Sequence, residues 1–224
     1  MARPRRPLLT RVRIIECAIG IIDAEGLDAL STRRLATTLA VQAPSLYNHF
    51  ATKEEILDAV ADDIFAEVDL SMLGRDPWPE ALREWARRYR AALVAHPNIV
   101  PFLARGPGKR PAQLRVADAV YGALVDAGWP PSYATRIGAL MRYLVTGSAL
   151  GSFALGFPDD PEFYAETYPH LGDAHRLRRH QERVDEGAFE LGLATLIAGL
   201  ERTFADLTKS RAAATARRVR KGTS

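Results

Sequence analysis

A chain of 224 residues, 47% hydrophobic and 25% charged, is long enough to bury a sizeable core and to hold one large or two small domains. Its single cysteine, Cys17, excludes an internal disulfide framework and fits a reducing compartment, and the apolar helical setting reads as a packed thiol. No uncharged run nears the roughly 18 residues of a membrane span, and the basic start MARPRRPLLTRVR lacks a signal-type apolar core, so a cytoplasmic protein with no membrane partner is expected.

The net charge of +3 hides a segregation. Residues 1–53 carry +4, with Arg3, Arg5, Arg6, Arg11, Arg13, Arg33, Arg34 and Lys53 against four acids. Residues 54–208 carry −7, and the stretch from Lys209, with Arg211, Arg217, Arg218, Arg220 and Lys221, carries +6. Such a field presents one end to a polyanion and repels the rest.

In chain order, the Pro- and Arg-rich first ten residues read as an arm able to touch phosphates or enter a minor groove. Thr10 then caps a helix reaching about Glu25, with Val12, Ile15, Ala18, Ile19 and Ile22 toward the core and Gly26 as its stop. Ser31 to Phe50 reads as two short helices joined by a tight turn. In the first, Ser31 is the N-cap, and Leu35 and Leu39 share a face while Arg33, Arg34, Thr37 and Thr38 face outward. The second starts near Gln42, tolerates Pro44 in its first turn, and repeats Leu46 and Phe50 at four residues. Between these stripes stand Ser45, Tyr47, Asn48 and His49, groups suited to base edges and phosphates in a major groove.

Thr52-Lys53-Glu54-Glu55 is a capping-box sequence that opens a helix to about Leu70. Its apolar side is Ile56, Leu57, Val60, Ile64, Phe65 and Val68; its carboxylates Glu54, Glu55, Asp58, Asp62, Asp63, Glu67 and Asp69 read as a solvated face. After a break at Gly74 to Pro79, helices are expected over Glu80 to Ala95, briefly after His96-Pro97, and over Ala112 to Ala127 with Leu114, Ala117, Val120, Tyr121 and Leu124 inward. The next helix starts at Pro130-Pro131, with Ser132 as its cap, and runs to about Phe157. Pro158 to Arg183 is aperiodic and reads as a flexible loop. Its His170, His175 and His180 recur every five residues, a step that does not stack ligands on one helix face, so no metal is expected. Gly187 to Leu207 is the last helix. Small residues crowd both it (Gly192, Ala194, Ala198, Gly199) and Ile137 to Gly156 (Gly138, Gly147, Gly151), which suggests closely approaching backbones. No alternating stretch of strand length competes, so the chain reads as all-α.

Leu35-Ala36, Leu39-Ala40-Val41, Pro44-Ser45-Leu46-Tyr47, His49-Phe50 and Lys53 closely resemble the DNA-reading end of the tetracycline-repressor (TetR) family. Phe189-Glu190-Leu191-Gly192-Leu193 with Ile197, Gly199, Leu200 and Glu201 is similar to the last helix of its tetracycline-binding members. The resemblance implies an N-terminal three-helix helix-turn-helix domain (1–53) and a C-terminal helical ligand-binding and dimerisation bundle (54–208), joined by the helix 53–70. A basic tail (209–224) expected to be disordered completes the chain.

It also implies a homodimer on an inverted-repeat duplex operator, released by a small-molecule effector. The DNA contacts would be Thr32, Arg33, Gln42, Ala43, Pro44, Ser45, Tyr47, Asn48, His49 and Lys53, with Lys53 and Tyr47 on phosphates and Gln42 and Ser45 on base edges. The effector pocket would draw on Asp69, Trp85, Tyr89, Phe102, Leu103, Tyr121, Met141 and Leu144, with Arg142 and Thr146 as added polar groups. By the resemblance, tetracycline-binding members use two histidines and an asparagine where this chain holds Asp69, Phe102 and Trp85, so an apolar or aromatic effector is expected rather than a magnesium–tetracycline chelate. The family usually has glycine in the turn, and this chain has Ala40, which leaves a negative-φ turn or a strain of about 1 kcal/mol. Two other readings are a constitutive DNA binder without an effector and a small helical enzyme. Against the enzyme, no Ser-His-Asp or Cys-His set, phosphate-cradling glycine loop or zinc-hydrolase spacing is found, and no cofactor is expected.

Overall fold

The computed structural model describes residues 9–104, 106, 108–165 and 168–222, and Arg3, Arg5 and Arg6 of the N-terminal arm lie outside them. Among the described residues all regular structure is helical, and no helix there is long and apolar enough to cross a membrane. The helices are α1 Arg11–Glu25, α2 Thr32–Thr38, α3 Ala43–Tyr47, α4 Lys53–Ala66, α5 Trp78–Ala95, α6 Val100–Leu103, α7 Pro111–Asp126, α8 Pro131–Ala149, α9 Pro161–Ala165 and α10 Gln181–Gly222. They form two compact units. The first comprises residues 1–70 and 88–119, the second 71–87 and 120–224.

In the first unit, capping sets the helix starts. The Thr10 side chain accepts from the Arg13 amide at 3.3 Å, Ser31 from Arg34 at 3.1 Å and Thr52 from Glu55 at 3.1 Å. The Glu55 carboxylate reaches back to the Ala51 amide at 2.7 Å, one residue before the cap, so the capping box is closed one position early. The positive φ of Gly26 (88°) ends α1. The core-facing stripe of α1 is Ile14, Ala18, Ile21 and Ile22, whereas Val12 is 62% exposed and Ile15 and Ile19 are half-buried. This corrects the expected register: α1 has more apolar residues than one face can hold, so its sequence fits two adjacent stripes. Cys17 is half-buried, and burial raises its thiol pKa despite Arg34 and Arg13, which keeps it the protonated packing group it reads as.

Helix α4 ends at Ala66, four residues before the expected Leu70. Two of its carboxylates also hold the start of α7: the half-buried Asp62 accepts the Ala112 amide at 2.5 Å, and Asp58, its side chain 51% exposed, lies 3.4 Å from the buried Arg110. The buried side of that helix start is Ala112, Gln113 and Val116. Leu114, expected inward, is 47% exposed. His96 Nδ1 lies 2.9 Å from Asp23 Oδ2, and Asn98 donates at 2.9 Å to the Ile22 carbonyl, which also accepts the Gly26 amide, and at 3.1 Å to the Asp23 carbonyl at the C-terminus of α1.

In the second unit an aromatic knot of Trp78, Trp129 and Phe204 has ring centroids 4.9–5.7 Å apart. Helix α8 starts without a side-chain cap, Pro130 rather than Ser132 standing at its N-cap, and it stops at Ala149, because Gly151, Ser152 and Gly156 weaken the run expected to reach Phe157. A Cβ on Gly192 would meet Leu144 Cδ1 at 3.1 Å, the close approach of α8 and α10 that the small residues suggest. The segment 158–183 contains α9 and two 3-10 turns, Pro169–Leu171 and Ala174–His180, where a loop was expected. Helix α10 continues through the stretch expected to be disordered, as far as Gly222. Its run of alanines with arginine and lysine has high intrinsic helix propensity.

Candidate nucleic-acid interface

Helices α2 and α3 are held by their apolar sides. Leu35, Leu46 and Phe50 are at most 2% exposed, and α1 and α4 complete the core around them. The turn between α2 and α3 closes in the Schellman pattern, with the Ala40 amide on the Thr37 carbonyl at 3.1 Å and the Val41 amide on the Ala36 carbonyl at 2.9 Å. Ala40 has φ 54°, the left-handed form that glycine favours, so of the two turn geometries open to the sequence the strained one is present. Ala40→Gly removes about 1–2 kcal/mol of strain and loosens the unfolded chain by about 0.4–1 kcal/mol. A net gain near 1 kcal/mol should raise Tm by roughly 2–4 °C; an unchanged or lower Tm in calorimetry would contradict the strain.

With Leu46 and Phe50 buried, the rest of α3 and its ends are turned outward. Tyr47 is 54% exposed, Gln42, Pro44 and Asn48 are exposed, and Ala43, Ser45 and His49 are half-buried. Gln42 is the N-cap residue of α3 and its side chain makes no cap bond, which leaves its amide available to a base edge. Arg33 is exposed and Thr32 half-buried at the start of α2. Lys53, in the first turn of α4, reaches the Leu27 carbonyl at 3.5 Å and would exchange that weak contact for a phosphate.

One supporting residue escapes sequence reasoning. The Arg11 guanidinium donates to the His49 carbonyl and lies 3.9 Å from the centre of the Phe50 ring, fixing the C-terminal end of α3 to α1. Only its charge is visible in the sequence, because the partner lies 38 residues on. The Arg34–Glu25 ion pair makes a second, exposed link between α2 and α1.

The residues expected around an effector fall in both units. In the first, Tyr89 stacks on Phe65 at 4.7 Å, Leu103 is buried, and the buried Phe102 has the Arg110 guanidinium 5.2 Å from its ring centre. Asp69 is ion-paired with Arg88. In the second, Trp85 and Met141 are buried and Leu144, Arg142 and Thr146 are half-buried; Tyr121, expected to be a pocket neighbour, is 39% exposed. A residue that pattern reasoning missed is Gln113 in the first unit, 6% exposed, whose Oε1 has no hydrogen-bond partner among the described residues. A buried unpaired amide oxygen is costly unless a ligand donates to it; the spacing of apolar residues turns Leu114 inward and leaves Gln113, a polar residue beside an apolar one, out of the inward set. The magnesium chelate does not fit these residues, since Phe102 has no ligating atom and the Asp69 carboxylate is taken by Arg88. Among the described residues no group of three His, Cys, Asp or Glu side chains could hold a metal, and His175 Nδ1 lies 2.9 Å from the Gly172 carbonyl oxygen.

The family described as "Bacterial regulatory proteins, tetR family" matches residues 14–60, and "Tetracyclin repressor-like, C-terminal domain" matches residues 71–204. The chain belongs to the TetR family. It is 34% identical over 208 residues to the tetracycline repressor protein class C of Escherichia coli, covering 87% of this chain and 91% of that one. It is 33% identical over 143 residues to an HTH-type transcriptional regulator of Saccharopolyspora erythraea, covering 64% of this chain and 61% of that one. The crystal structure of the TetR-family protein ActR from Streptomyces coelicolor in complex with actinorhodin matches with a TM-score of 0.70 and 31% identity, over 88% of this chain and 99% of that one. The helix-turn-helix of this TetR-family regulator is α2–α3, and its C-terminal part is a helical bundle, as the sequence leads one to expect.

Proposed function

We propose that this TetR-family regulator is a ligand-responsive transcriptional repressor, acting in the cytoplasm as a homodimer on an inverted-repeat operator, and not an enzyme. The observation that carries the reading is the placement of Gln42, Ser45 and Tyr47 on the outward side of α3 while Leu46 and Phe50 anchor it. Thr32, Arg33, Ala43, Pro44, Asn48, His49 and Lys53 complete the DNA contacts. One α3 reads too few base pairs to specify a genomic site, so a second copy is required. The exposed apolar residues of α8 and α10 favour pairing through these helices: Leu140 is 45% exposed, Tyr143 68% and Leu191 70%, beside the open backbone of Gly147.

The effector is apolar or aromatic with an atom that donates a hydrogen bond. In the first unit its contacts are the buried aromatic residues Tyr89 and Phe102, and Gln113 offers its unpaired Oε1 as acceptor. The relative ActR was crystallised with actinorhodin, an instance of a small-molecule complex in a close structural neighbour. Release is a population shift: an effector that prefers one spacing of the two reading helices by about 5.5 kcal/mol moves the equilibrium from 1:99 to 99:1. The test is selection of duplexes from genomic DNA followed by a screen of aromatic compounds against the selected duplex. Compounds that lower its affinity support the reading; unchanged affinity across a diverse set leaves the effector-free DNA binder as the better account.

A further inference from the structure

Helix α10 outruns the core that holds it. Phe204 belongs to the aromatic knot of the second unit, yet every residue from Thr208 to Ala214 is exposed, the alanines at 212–214 included, so no face of this stretch is buried. It lies beyond residue 204, where the match to the TetR-type C-terminal domain ends. The Arg211 guanidinium ties it to the unit, donating to the Gly128 carbonyl at 2.8 Å. The backbone stays helical as far as Gly222 because the packed part of α10 supplies the costly nucleus, and alanine, arginine and lysine extend it.

The charge of this end is of one sign. Lys209, Arg211, Arg217, Arg218, Arg220 and Lys221 fall within about 18 Å of helix, and no acid follows Asp206. The backbone dipole favours cations at a helix C-terminus, but six of them repel one another. A polyanion relieves that repulsion, and the counterions that its phosphates release add to the affinity. A membrane surface fits less well: past Leu207 the apolar residues are alanines and Val219, where an interfacial helix carries Trp, Phe or Leu. The same stretch has no Asn or Gln to pair with adenine, which favours phosphates over base edges.

We infer that the C-terminal end of α10 is a second contact with duplex DNA, in which Lys209, Arg217, Arg218, Arg220 and Lys221 neutralise backbone phosphates without regard to sequence while Arg211 holds the helix to its unit. The contact does not depend on α3 being the reading helix.

The experiment measures the affinity of the full chain for a random-sequence duplex across a salt series. The variant Lys209→Gln/Arg217→Gln/Arg218→Gln/Arg220→Gln/Lys221→Gln keeps Arg211 and the helix propensity of the stretch. It should bind about tenfold or more weakly near 0.1 M salt, with the slope of log affinity against log salt smaller in magnitude by about 2–4 per chain. The same loss is expected on a duplex selected from genomic DNA, because phosphate contacts act uniformly across sequences. Truncation after Thr208 should reproduce it, so the result does not depend on the helix content of the substituted chain. The control Arg176→Gln/Arg179→Gln/Arg183→Gln, which removes exposed cations ahead of the packed part of α10, should leave the slope unchanged. An unchanged slope in the fivefold variant and the truncation, an equal change per charge in the control, or a loss seen on phosphatidylserine vesicles but not on the duplex overturns the inference.

Discussion

Phe50→Ala should lower the stability of the protein by about 3–5 kcal/mol, an effect readable as a shift of the denaturant midpoint at unchanged slope. Phe50 is 2% exposed and closes the core beneath α3 together with Leu46, which is 1% exposed. Its amide donates to the Leu46 carbonyl at 3.0 Å, so the ring sits where α3 unwinds and the chain turns toward α4. The ring also carries the Arg11 guanidinium at 3.9 Å, and truncation removes both the buried area and the platform for that cation. Against a total stability of about 5–15 kcal/mol for an ordinary domain, such a loss is large. DNA binding should fall with it, because α3 has only five residues and depends on packing for its shape. A loss under about 1 kcal/mol would mean that Phe50 is not the anchor of α3.

Tyr47→Ala should behave in the opposite way, lowering affinity for the selected operator by about 10–100-fold, equivalent to about 1–3 kcal/mol, while leaving Tm nearly unchanged. The side chain is 54% exposed, so its removal opens no cavity, and its hydroxyl stands free to reach a phosphate or a base. If specific affinity survives undiminished while the protein remains folded, α3 is not the reading helix. The pair of substitutions separates the two sides of one short helix: Phe50 acts on folding and Tyr47 on recognition.

The helix-turn-helix was legible in the sequence because its signals are local. Ser31 and Thr52 cap where their neighbours require, and Leu35, Leu46 and Phe50 fall inside at the expected spacing. Ala40 was legible as an anomaly, and its φ of 54° decides between the two turns the sequence allowed. What was not legible depends on partners distant in the chain. The contacts of Asp58 with Arg110 and of Asp62 with the Ala112 amide cannot be read from their own helix, and Arg11 reads as one charge among many until His49 and Phe50 are beside it. The stripe of α1 was misassigned because Val12, Ile14, Ile15, Ile19, Ile21 and Ile22 overfill a single face, so only packing selects Ile14 and Ile21. Tyr121 and Leu114 fail for a related reason: α7 turns Val116, Val120 and Leu124 inward, and the neighbouring apolar residues are left at the surface.

The central claim is that two copies of this chain read one twofold-symmetric duplex. Footprinting of the purified protein on duplexes selected from genomic DNA, with the protein-to-duplex ratio measured by light scattering, tests it most directly. Two chains per duplex should protect an inverted repeat whose half-site centres lie about one or more helical turns apart, and affinity should fall steeply with salt. Protection that ignores sequence, or a single chain on one unsymmetrical site, would contradict the account.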